Sequence, residues 1–189
     1  MSDLMDRFMP AFDVRETHQV TVAAPAALVY QVACGFSLQS IPLVRTIFAL
    51  RSRLMGSHGP ATWQPLGIVS ETQAMGWGPL EEVPGRSYAA GAVCQPWRAD
   101  VEFRPVEADR FAAFAEAGLV KIAWTIEVEP LEYNRARLVT ETRAQATDPA
   151  ARARFLRYWR WASVGIVLIR WLLLPAIRRE AERRFGSIT

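Results

Sequence analysis

Polar and apolar residues alternate along residues 13–22 (DVRETHQVTV). Val14, Glu16, His18, Val20 and Val22 share one parity; Arg15, Thr17, Gln19 and Thr21 take the other. A period of two predicts a strand. Ala23-Ala24-Pro25 ends it, and Pro25 suits the first position of a helix over 26–33 that Gly35 closes. Pro42 opens a second helix over 41–54, where Leu43, Ile47, Leu50 and Leu54 recur every three to four residues. Residues 55–60, MGSHGP, read as a loop.

From Ala61 the period returns to two. Strands are expected over 63–75 (broken by Pro65), 80–83, 86–97 and 100–106, with a further extended segment over 110–117. The last two strands, 121–131 and 135–146, pattern most cleanly. Ile122, Trp124, Ile126 and Val128 oppose Lys121, Thr125, Glu127 and Glu129; Leu138, Thr140, Thr142 and Ala144 oppose Arg137, Glu141 and Arg143. This predicts neighbouring antiparallel strands with one face in water. Asp148 and Pro149 then form a helix start, and a helical reading runs to about Arg184. A kink is expected near Pro175, and Gly165 is a second weak point. With no linker or repeat visible, residues 1–189 read as one domain, its first dozen residues extended and its long helix over 148–185.

This order resembles the bacterial SRPBCC (START-like, polyketide cyclase-like) superfamily. VAAPAALVYQV (22–32) is similar to its V-x-A-P-x-x-x-V-[WY] motif, and TETRAQATDPAARARFLRYWR (140–160) to the closing strand and helix of an uncharacterised subgroup. The resemblance implies an α+β helix-grip fold: about seven antiparallel strands curved around a long C-terminal helix, with two short helices after the first strand. It also implies an apolar cavity between sheet and helix. Family members bind lipids, sterols, polyketides or client proteins, and only some are enzymes, so the fold leaves function open.

Given that fold, Tyr88, Phe103, Phe114, Trp124, Thr140, Thr142, Tyr158 and Trp159 are candidate lining residues, with Trp97 and Arg98 at a rim. Core filling is the competing account of the same rings. For proton transfer, the candidates are Glu116, if buried, and His18, paired with Glu16 at i, i+2. A partly solvated edge-strand pair is the simpler account of Glu16 and His18. His58 lies in the 55–60 loop at a possible cavity mouth.

Composition narrows the chemistry. The chain is 51% hydrophobic and 11% aromatic with 7 Trp, a globular composition. Net charge is +3, and all but one of the basic residues (Lys121) are Arg. Arginine crowds the segment from Arg152 to Arg184, opposed there only by Glu180 and Glu182. No nucleic-acid-binding signature accompanies it, so no nucleic-acid partner is expected. Cys34 and Cys94 have no metal-ligand spacing, and glycine-rich nucleotide loops and a Gly-x-Ser-x-Gly elbow are absent; no metal or cofactor is expected. Residues 1–13 lack the apolar run of a secretory signal, which together with the thiols points to the cytoplasm. Residues 161–177 are apolar nearly all round but short for a span and interrupted by Arg170. Their outer side is expected to meet a membrane surface, a second copy, or the protein's own helices.

Three functions are thus carried forward: binding a small apolar or amphipathic ligand, cyclase-like acid–base catalysis in the same cavity, and membrane or partner association through the last helix.

Overall fold

A computed structural model describes residues 3–56 and 66–187. Helix α1 (Asp3–Phe8) precedes strand β1 (Val14–Val22), α2 (Ala26–Gly35), a single 3-10 turn (Leu38–Ser40) and α3 (Pro42–Met55). Then follow α4 (Ile68–Ala74), β2 (Gly78–Val83), β3 (Ser87–Cys94), α5 (Ala108–Phe111), β4 (Val120–Leu131), β5 (Arg135–Ala146) and α6 (Pro149–Gly186). The strands form an antiparallel sheet in the order β1-β5-β4-β3-β2. Helix α6 packs across one face, with α2 beside it, in the α+β helix-grip arrangement. The sheet has five strands rather than about seven.

Both missing strands lie where the period of two was least regular. Of residues 63–75, those from Ile68 to Ala74 are helical. There Thr72 Oγ1 donates to Ile68 O at 2.8 Å, and the carboxylate of buried Glu71 accepts from Ser37 Oγ and Leu38 N. A helix is selected because those partners lie on another element, which no local pattern reveals. Residues 100–106 form only a bridge between Val93 and Arg104. Pro105 cannot donate to a ladder, and the segment instead packs on the Gly76 turn. A Cβ on Gly76 (φ +99°) would meet Phe103 O at 2.2 Å. The expected extended segment over 110–117 likewise begins with the last turn of α5.

Strands β4 and β5 are covered on both faces, against the expectation of one wet face. On the side away from α6, Met5, Phe8 and Met9 of the N-terminal segment pack on Leu80, Ala89, Phe111 and Ala123. The first dozen residues are therefore not simply extended. Beneath them Arg143 is 2% exposed; its Nη1 donates to Asp6 Oδ1 and Met9 O, and its Nε to Glu141. Arg15 completes the network by donating to Glu141 at 3.0 Å. Lys121, also buried, donates to Ala112 O at 2.9 Å, and desolvation lowers its pKa.

Asp148 caps α6 by accepting from Ala150 N and Ala151 N, as its position before Pro149 predicts. The helix continues through Gly165, where no break occurs. Gly165 faces α3, and a Cβ there would sit 3.4 Å from Ile47. The helix also continues past Pro175, whose ring lies at the exposed surface.

Candidate functional site

Antiparallel register assembles the site in two rows on the face beneath α6. Glu16, Thr142, Trp124 and Ala90 lie side by side across β1, β5, β4 and β3. His18, Thr140, Ile126 and Tyr88 form the next row. Period-two alternation sends both rows the same way, so two residues from each strand suffice to build a continuous surface. The outer part is polar and the part over β3 and β4 aromatic. Tyr88 and Trp124 have ring centroids 5.5 Å apart, Trp124 meets Trp77 at 6.5 Å, and Trp77 meets Phe103 at 5.0 Å. Gln73 Nε2 donates to the Tyr88 hydroxyl at 3.3 Å.

Arg170 enters this surface from α6, its Nη2 donating to Thr142 Oγ1 at 2.7 Å. The residue keeps some surface toward solvent, but its guanidinium is enclosed, and desolvation lowers its pKa to about 10. Among the described residues no carboxylate lies within ion-pairing distance of it. Beside it, His18 Nε2 is 3.8 Å from Glu16 Oε2, too far for a hydrogen bond. Burial lowers the His18 pKa, the Arg170 charge lowers it further, and Glu16 opposes both. His18 Nε2 and Thr140 Oγ1 are buried without a hydrogen-bond partner among the described residues. The cluster thus offers one enclosed guanidinium and two unengaged polar atoms next to rings that fill the core, Tyr88 at 1% and Trp124 at 5% exposure. Such groups carry a desolvation cost that a complementary ligand relieves.

The other sequence candidates lie elsewhere. Glu116 is not a buried base: it is exposed and ion-paired with Arg104 at 2.9 Å, because its segment follows α5 to the surface. Phe114 is half-buried and outside the aromatic row, while Phe111 takes the buried position on the opposite face. Trp97, Tyr158 and Trp159 pack around Phe155, Val120 and Ala144 at another end of the sheet. There Trp97 and Tyr158 line an open cleft of about 270 Å³ with Met55, Arg154, Arg157 and Trp161. Arg98 is exposed next to Trp97. His58 lies outside the described residues.

Two residues of the site escaped sequence reading. Arg170 was legible as the single charge in SVGIVLIRWLLL, a position that demands a partner. Trp77 sits in a turn, where no period assigns a facing direction. Thiol chemistry is disfavoured: Cys34 and Cys94 form no disulfide, and burial pushes the Cys34 thiol up to about 11, leaving little thiolate at neutral pH. No group of three metal-ligating side chains occurs among the described residues.

No family model matches the chain, and no curated protein does. Among solved structures it is similar to a hypothetical protein from Helicobacter pylori (10% identity, 93% of each chain, TM-score 0.46). It is also similar to a protein from Chromobacterium violaceum (14% identity, 88% of this chain and 97% of the other, TM-score 0.38). A third likeness is to the Zhui aromatase/cyclase from Streptomyces sp. R1128 (17% identity, 90% and 94%, TM-score 0.31). Overlaps this loose carry no argument about activity.

Proposed function

We propose that the protein is an SRPBCC-type binding protein for a small amphipathic molecule with an acidic group, held between the sheet and α6. The observation that carries this reading is Arg170: a guanidinium enclosed against the sheet, bonded to Thr142 and without a carboxylate partner among the described residues. Removing a charge from water costs several kcal/mol, which an anionic ligand offsets by supplying the countercharge where solvent competes least. Tyr88 and Trp124 are taken up by the core, at 1% and 5% exposure, so half-buried Trp77 beside Trp124 is the ring with area left for the apolar remainder of the ligand, at about 25 cal/mol per Å² buried. His18 Nε2 and Thr140 Oγ1 offer further polar contacts.

The test compares laurate with dodecanol, both below micelle formation, followed by tryptophan fluorescence. Wild type should prefer laurate. Arg170→Met should weaken laurate by about 10- to 100-fold, the worth of a hydrogen bond to a charged group, and leave dodecanol unchanged. Equal affinity of wild type for the two amphiphiles would refute the assigned role of Arg170.

A cyclase-like activity is the second reading, favoured by one observation. His18 presents an unengaged Nε2 beside Glu16, and its lowered pKa keeps the imidazole neutral, the form a general base requires. In that case His18→Gln would abolish turnover of a reactive polyketide-like chain while weakening laurate only several-fold, the worth of one neutral hydrogen bond.

A further inference from the structure

From the face of α6 opposite the site, we infer that the protein docks in the plane of an anionic lipid bilayer through α3 and the middle of α6. This does not rest on the ligand reading above. Residues 157, 161, 164, 168, 171, 175 and 178 follow alternating spacings of three and four, which align them on one side of a helix. In order they are Arg157, Trp161, Val164, Leu168, Trp171, Pro175 and Arg178: an apolar stripe with a tryptophan near each end and an arginine beyond each tryptophan. The four large side chains between are 37–69% exposed. Helix α3 runs alongside, close enough that a Cβ on Gly165 would reach Ile47 at 3.4 Å, and adds the exposed stripe Leu43, Leu50 and Leu54. Together they make a two-helix apolar surface of the kind that soluble monomers rarely leave uncovered.

Charge decides what covers it. Neither α3 nor α6 up to Arg179 contains a single Asp or Glu, although the chain has 19. Arg45, Arg53, Arg154, Arg157 and Arg160 are exposed there. A second copy laid against this face, parallel or antiparallel, brings arginine ends against arginine ends. An anionic headgroup layer instead receives the arginines while Trp161, Leu168 and Trp171 enter the acyl boundary.

The helix lies on such a surface and does not cross it. Its 18-residue apolar window has a mean hydropathy of 1.5 and is 22% buried, long enough by composition to span. But Phe155, Ala162, Leu173, Leu174, Ile177 and Ala181 bury its other side within the protein. Crossing would strip those contacts and carry Arg170 into hydrocarbon.

Sedimentation with phosphatidylcholine vesicles, with and without about one-third phosphatidylglycerol, tests this on the full chain. Binding should require the anionic lipid and fall about tenfold or more in roughly 0.5 M NaCl. Trp171→Ser, at a position 68% exposed, should reduce partitioning several-fold with no change in thermal midpoint. Arg157→Gln with Arg160→Gln should do so several-fold, and only for anionic vesicles. Equal binding to neutral vesicles, or no binding at all, overturns the proposal. So does a dimer in sedimentation equilibrium that Trp171→Ser dissociates, which assigns the face to a second copy. Resistance to carbonate extraction from vesicles also overturns it, in favour of a span.

Discussion

Arg170 has opposite consequences for stability and for function. Its guanidinium is desolvated and among the described residues has one hydrogen bond, to Thr142, so the folded chain bears a cost that an anionic ligand offsets. Arg170→Met should therefore leave the unliganded protein as stable or up to about 1 kcal/mol more stable, read as a denaturation midpoint. A loss above about 2 kcal/mol would mean that the arginine is already satisfied at home. His18 makes a second prediction at this scale. Its folded-state pKa lies below its unfolded value, chiefly through burial, so the unfolded chain takes up the proton first as pH falls. Stability should decline from about pH 6.5 downward to the folded pKa, then level off for this group. His18→Gln should flatten that part of the profile; an unchanged slope would assign it to other groups.

At the scale of elements, the sheet is held from both sides, and the side away from the site carries a buried ion-pair network. Arg143 is bonded to Asp6, Glu141 and the Met9 carbonyl, which ties the N-terminal segment to β5. Breaking such a network by removing one partner strands the other, so Arg143→Ala should destabilise by about 3–5 kcal/mol. Gly91 supplies a second test of the same layer. A Cβ there would meet the Phe111 ring at 2.6 Å and Leu80 at 2.9 Å. Gly91→Val should cost about 1–3 kcal/mol through overpacking, and hydrogen exchange should locate the loosening at β2, β3 and α5. A uniform loosening would count against a local clash. These elements also mark where sequence reading ran short. The Leu4, Met5, Phe8, Met9 spacing does carry a helical signal, but six residues are too few to announce a helix without the sheet beneath them. The β-branched residues of α4 fit either period and so suggest a strand, and what decides for a helix, Glu71 against Ser37 and Leu38, is tertiary.

For the whole molecule, ligand binding and stability are linked through mass action. A ligand that occupies the site only in the folded state should raise stability by about 2.7 kcal/mol at a hundred times its Kd. For a chain of this length that is about 5–10 °C in Tm. Laurate should produce the shift in wild type and not in Arg170→Met; an equal shift in both would place the amphiphile elsewhere, such as the cleft between Trp97 and Trp161.

Alternation and capping are local properties, and they were enough to define β1, β4, β5 and α6. They also put Trp124, Thr140 and Thr142 on one side of the sheet, because side-chain parity in a strand needs no partner to be read. Register, coverage and depth are not local. The tertiary structure alone brought Arg170 onto Thr142 across 28 positions and turned Glu116 out to Arg104. It laid α1 over a face that alternation suggested was wet, and left Trp161 and Trp171 facing outward. Each depends on which distant segment arrives to displace water, and a linear pattern records the need for a partner without naming it.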